Sequence, residues 1–165
     1  MKFKNFIKIF FAILFVFVST NSYAKTIKWS MQGDSLTLDP HAQNEGPTTQ
    51  VSRQVYEALV TRGLDMSIEP QLATDWKTTD PNTWVFNLRK DVKFSDGSNM
   101  TAKDVVFSIL RAKQPTSDFK EYISTISDVK EIDNYNVQTV SYTHLRPHET
   151  CTNLVCTLIL EKTGG

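Results

Sequence analysis

Four side chains able to do chemistry crowd into one short stretch: His144, His148, Cys151 and Cys156. Imidazole and thiolate are the usual ligands of zinc, and a thiol beside an imidazole is the pair from which cysteine hydrolases make a nucleophile. The spacing fits neither use well. The order His-x3-His-x2-Cys-x4-Cys lacks the paired close spacings from which structural zinc sites are built. His41, the remaining histidine, lies beside Asp39 and Pro40 in a polar stretch, where an isolated imidazole serves as a hydrogen-bond partner more often than as a ligand. Asp39-Pro40 itself is turn chemistry. Asp75, Asp80, Asp91, Asp96 and Asp104 could be scanned for a general acid and base, yet each falls at a turn, a cap or a strand end, where carboxylates accept backbone N–H groups. The chain has no Gly-x-Ser-x-Gly elbow and no glycine-rich phosphate loop. No catalytic residue, metal ligand or cofactor is therefore expected.

The elements that must position any site begin after residue 24. Residues 1–24 open with Lys2, Lys4 and Lys8, continue through an uncharged apolar run, and end on Ser22-Tyr23-Ala24. That layout is a secretory signal peptide, with cleavage expected between Ala24 and Lys25. The apolar run is well short of the roughly 20 residues that cross a bilayer. Lys25 in place of a cysteine offers no lipid attachment. An exported, periplasmic chain follows, and up to residue 139 it has no cysteine, so burial alone must hold it together. Lysine plus arginine and aspartate plus glutamate number 18 each over the whole chain. The two signs are interspersed, which excludes the basic footprint of a nucleic-acid binder.

Residues 26–31 alternate Ile27, Trp29 and Met31 with polar neighbours, which predicts a first strand. A long irregular loop follows over residues 32–47, rich in Gly, Asp, Asn and Pro. Thr48 or Thr49 is expected to cap a helix running to Leu59, with Val51, Val55, Ala58 and Leu59 on a buried side. Asp80-Pro81-Asn82 separates two segments of strand character. Trp84, Phe86 and Leu88 share one face of the second, and Val92 and Phe94 extend the pattern to a turn at Asp96-Gly97. Thr101 and Asp104 form a capping-box start for a helix from Ala102 to Ala112 bearing Val105, Val106, Ile109 and Leu110; Pro115, Thr116 and Ser117 end it. Residues 124–140 predict a second hairpin around Asp133-Asn134-Tyr135-Asn136.

The run Leu38-Asp39-Pro40, then "VYEAL" at 55–59, "PQLATDW" at 70–76, "TWVFNLRKDVKFSDG" at 83–97 and "TAKDVVFSILR" at 101–111 closely resembles the extracellular solute-binding proteins of family 5. These are the peptide, oligopeptide and nickel binders of ATP-driven importers. The resemblance covers residues 25–140, and "VKEIDNYNVQTV" is similar to the hairpin that follows the family's helix. It implies an α/β fold of the type II periplasmic-binding-protein kind, two lobes closing about a hinge, with a sub-domain inserted in the first lobe. Residues 25–70 would begin that lobe, and residues 71–140 would form part of the inserted sub-domain. Residues 141–165 depart from the family pattern and resemble the conceptual translation of a sequencing adapter, so they are expected to be foreign to the fold.

The resemblance also implies a ligand site at Asn44, Glu45 and Gly46, which match the part of the family's loop that lies against bound peptide. The chemistry is suitable: Gly46 lets a ligand approach the backbone, and Glu45 can pair with an ammonium group. Phe119 and Tyr122 fall near the cleft face, where packing in the core is the simpler role for both. The implied function is solute binding without chemistry, with a peptide or other small solute and a membrane permease as partners. The alternative is an exported Cys/His hydrolase or metalloprotein using Cys151 or Cys156.

Overall fold

A computed structural model describes residue 26, residues 28–142, and the backbone of residues 160 and 161. The expected signal peptide, its cleavage point, and the cluster from His144 to Cys156 lie outside the described residues. The elements in chain order are α1 (Gly46–Val55), β1 (Tyr56–Glu57), β2 (Val60–Arg62), β3 (Ile68–Pro70), β4 (Ala73–Asp80), β5 (Thr83–Leu88), α2 (Ala102–Ala112), β6 (Ile126–Asp133), β7 (Asn136–Ser141) and β8 (Leu160–Glu161).

Four strands form the main sheet in the order β4-β5-β7-β6, with every neighbouring pair antiparallel. Its first hairpin closes where Asp80 Oδ1 accepts the Asn82 N–H at 3.0 Å, an Asx turn made by the aspartate before a proline. The second closes where Asp133 Oδ1 accepts the Tyr135 N–H at 2.8 Å. Both hairpins match the turn chemistry in the sequence. β5 lies inside the sheet, and it buries Trp84, Phe86 and Leu88 on one face and Thr83 and Val85 on the other. Trp76 is opposite Phe86 on β4, and Val137 is opposite it on β7, so an apolar stripe crosses three strands.

α2 packs against β6 and β7. Its start follows the sequence: Asp104 Oδ2 accepts both the Thr101 N–H at 2.7 Å and the Thr101 hydroxyl at 2.8 Å. Ala102, Val105, Ile109 and Ala112 are fully buried and join the core with Phe86, Ile123, Ile126 and Val137. Val106 packs at its edge, while Leu110 is exposed, because its position has turned away from the sheet. Val92 and Phe94 pack against the core from an irregular loop rather than a regular strand. A single bridge joins Lys93 to Asn99 across the turn, and Gly97 takes φ +86° there, a left-handed value that costs glycine nothing.

Two expectations near the start are corrected. No strand forms over residues 28–31, which pair in none of the described sheets, and Trp29 is 63% exposed. The first helix begins at Gly46, with Glu45 at the N-cap, and stops at Val55. Pro47 explains the early start, since a proline in the first helical turn has its φ preset and loses no hydrogen bond. The buried positions of α1 are Thr48 and Ser52, whereas Val55 is exposed. Leu59, placed by the sequence on that helix, is instead fully buried just before β2, where its carbonyl accepts N–H groups of Gln71 and Ala73. β2 and β3 form a short ribbon, and β1 pairs with β8.

Candidate functional site

The loop ahead of α1 is fixed at several points by groups distant in sequence. Tyr56 Oη donates to the Leu38 carbonyl at 2.7 Å. Asp39 makes a turn of its own, Oδ1 accepting the His41 N–H at 3.0 Å, while its Oδ2 receives Arg111 Nη2 at 2.5 Å from the last turn of α2. Arg111 Nη1 lies 3.0 Å from His41 Nδ1. A guanidinium has only donors, so Nδ1 is the acceptor in this contact. His41 is 4% exposed, and its carbonyl accepts the Asp118 N–H at 3.0 Å. The arginine hydrogen bond holds the Asp39 carboxyl below the usual carboxylate range, against a smaller opposing effect of burial, and Asp39 in turn raises Arg111. His41 is thus a hydrogen-bond partner, as its isolation in the sequence implies.

The expected ligand residues follow directly. Asn44 Nδ2 donates to Tyr122 Oη at 2.9 Å, so Tyr122, 45% exposed, is a loop contact rather than the core residue expected. Its hydroxyl explains why, since the oxygen needs a polar partner that a core would not supply. Phe119 is buried, with its ring 6.4 Å from His41 and 6.0 Å from Tyr122. Glu45 Oε1 accepts the Thr48 hydroxyl at 2.9 Å, and Thr48 Oγ1 accepts the Leu36 N–H at 3.2 Å. Glu45 makes no side-chain cap to the helix N–H groups. Gly46 is exposed, and a Cβ built there would meet nothing within 4 Å.

Beside this loop is a pocket of about 230 Å³, bordered by Gln43 and Asn44 of the loop, Ser52 and Arg53 of α1, Gln71 and Phe119. Asn44 is the one of the three expected ligand residues that lines it; Glu45 and Gly46 lie at the neighbouring helix start. Arg53 and Gln71 were not singled out in the sequence. The signal available was the position of Arg53 on the helix that follows the loop. The five aspartates weighed as acids or bases are occupied locally: Asp75 with Thr74 and Asn87, Asp80 with Asn82, Asp91 with Arg89, Asp96 with Ser98, and Asp104 with Thr101.

The profile described as "Bacterial extracellular solute-binding proteins, family 5 Middle" matches residues 67–150. The periplasmic oligopeptide-binding protein OppA of Escherichia coli K12 is 40% identical over 81 residues, which is 49% of this chain and 15% of that protein. Among solved structures, Haemophilus influenzae OppA in complex with the peptide RPPGFSPFR superposes with a TM-score of 0.70 at 26% identity, covering 77% of this chain and 28% of that one. The Escherichia coli murein tripeptide binding protein MppA gives a TM-score of 0.73 at 26% identity, covering 79% and 29%. The chain spans between 15% and 26% of the length of the curated relatives it matches. Its mixed fold is that of the periplasmic binding proteins, and the chain belongs to the bacterial extracellular solute-binding proteins of family 5.

Proposed function

We propose that this chain supplies part of the first lobe of a substrate-binding component that serves an ATP-driven importer in the periplasm, taking up peptides or a related small solute. The observation that carries the proposal is the loop of residues 38–46, fastened at Leu38, Asp39, His41 and Asn44 and leading into a helix that starts at the exposed Gly46. Exposed Gly46, with open space where a Cβ would stand, lets an extended peptide approach and hydrogen-bond the main chain, which gives affinity without fixing side-chain sequence. Asn44, Glu45 and Gly46 are the proposed contacts, with Glu45 pairing a ligand ammonium. The names of the relatives, oligopeptide- and murein-peptide-binding proteins, support the ligand class.

The proposed layout has residues 25–70 starting the first lobe and residues 71–140 forming the inserted sub-domain; residues 141–165, expected to be foreign to the fold, do not all stay outside it, since buried Ser141 ends β7 and β8 pairs with β1. The grouping of residues 71–140 is supported by the way β4, β5, β6 and β7 with α2 gather around one core, which Leu59 and Val60 of the earlier segment also join. Closure of a second lobe would follow only from a higher affinity of ligand for the closed form, and the closed form would be what the permease reads. The test is a titration of the isotope-labelled chain with pooled tri- to pentapeptides, read at backbone amides. Saturable shifts concentrated at Asn44, Glu45 and Gly46 are expected, weakened in Glu45→Gln. Shifts confined to other surfaces, or cleavage of the peptides, would overturn the proposal.

A further inference from the structure

We infer that Arg111, at the end of α2, is the positioning residue of the ligand loop. It acts through Asp39 and His41, so that the sheet-and-helix unit determines where Asn44, Glu45 and Gly46 are presented. The inference rests on the ligand reading above for the importance of those three residues, and on geometry alone for the clasp. Residues 39 and 111 are 72 apart in sequence, yet one guanidinium engages both Asp39 Oδ2 and His41 Nδ1. An arginine can do this because its planar fork holds two donors at fixed separation, which a lysine ammonium cannot reproduce. The segment just beyond α2 adds further fastenings. The Asp118 N–H donates to the His41 carbonyl, the Phe119 ring stands edge-on to the His41 ring, and Tyr122 Oη accepts Asn44 Nδ2. Together these contacts place the C-terminal end of α2 and residues 118–122 along the whole course of the loop from Asp39 to Asn44.

A loop with this many polar tethers and few apolar ones is held by its hydrogen bonds rather than by burial. Leu36 and Leu38 are 70% and 62% exposed and contribute little to holding it. His41 is the exception, buried and polar, and its ring nitrogen would lose its arginine partner if Arg111 were shortened. The orientation of the loop is therefore decided from α2, which reaches it through Asp39 and His41.

The experiment is backbone amide hydrogen exchange on the full chain and on Arg111→Gln, Arg111→Lys, Tyr122→Phe, and the exchanged pair Asp39→Arg with Arg111→Asp. Exchange at residues 39–46 is expected to rise about tenfold in Arg111→Gln and less in Arg111→Lys, with β5 and β7 unchanged, in keeping with loss of a charge-assisted hydrogen bond. Tyr122→Phe should loosen only Asn44 and its neighbours, and the exchanged pair should recover part of the protection. Peptide-induced shifts at Asn44–Gly46 should weaken in step with loop exchange. Protection of residues 39–46 that survives Arg111→Gln overturns the inference, as does a uniform rise that includes β5 and β7, which would mark a general loss of stability. If the unsubstituted chain binds no peptide, the ligand reading fails by itself, and the exchange measurements still decide whether Arg111 holds the loop.

Discussion

Met66 sits in the loop between β2 and β3 with φ +68°, the one described non-glycine residue in the left-handed region, and its side chain is exposed. A bulky L-residue there costs about 1–2 kcal/mol, which asparagine partly avoids through local hydrogen bonding. Met66→Asn should therefore raise unfolding stability by about 0.5–1 kcal/mol, measurable by urea titration. Asp39 gives a prediction in pH. Its carboxyl is depressed when folded, chiefly by the Arg111 hydrogen bond, so its contribution is complete above the unfolded carboxylate value and disappears as pH falls through the lower folded value. Because the pair is partly solvent-exposed, the stability gap between the unsubstituted chain and Asp39→Asn should be only about 0.5–1 kcal/mol above about pH 5, closing below about pH 4. A gap that widens on acidification would contradict the assignment. The sequence allowed His41 to be read as a hydrogen-bond partner because isolated imidazoles need one. The identity of the partner was not legible, since nothing local links residue 41 to residue 111.

At the scale of elements, legibility followed local chemistry. The β4–β5 and β6–β7 hairpins are specified by Asp80-Pro81-Asn82 and by Asp133 with Asn136, whose side chains satisfy the turn backbone within a few residues. The start of α2 was readable for the same reason. Asp104→Ala removes an acceptor for both the Thr101 N–H and its hydroxyl, and should cost about 1 kcal/mol in thermal or chemical unfolding, while Asp104→Glu should restore most of it. Equal stability of Asp104→Ala and the unsubstituted chain would show that the cap contributes nothing. α1 was harder to read because its buried positions are Thr48 and Ser52, so apolar periodicity pointed to Val55 and extended the helix too far. Thr48 is buried for its hydroxyl, which joins Leu36 to Glu45 across the loop. β1, β2 and β3 are two or three residues long, too short to display a period of two.

For the whole molecule, family membership came from motifs that the fold explains. "TWVFNL" is an interior strand, and "TAKDVVFSILR" holds the helix that packs on its sheet and carries, in its last turn, the arginine gripping the loop. The proposed ligand contacts depended on resemblance rather than on pattern, because an asparagine, a glutamate and a glycine in a polar loop have no period or spacing of their own. The chain spans at most about a quarter of the length of its curated relatives, and its peptide binding is the proposal most in need of a direct measurement. The direct test is equilibrium dialysis of the purified chain against a mixed pool of short peptides, with the retained fraction identified by mass spectrometry. A saturable fraction recovered intact, and reduced by Glu45→Gln, is the predicted result; peptides recovered cleaved, or a retained fraction no larger than that of a buffer control, would contradict the account.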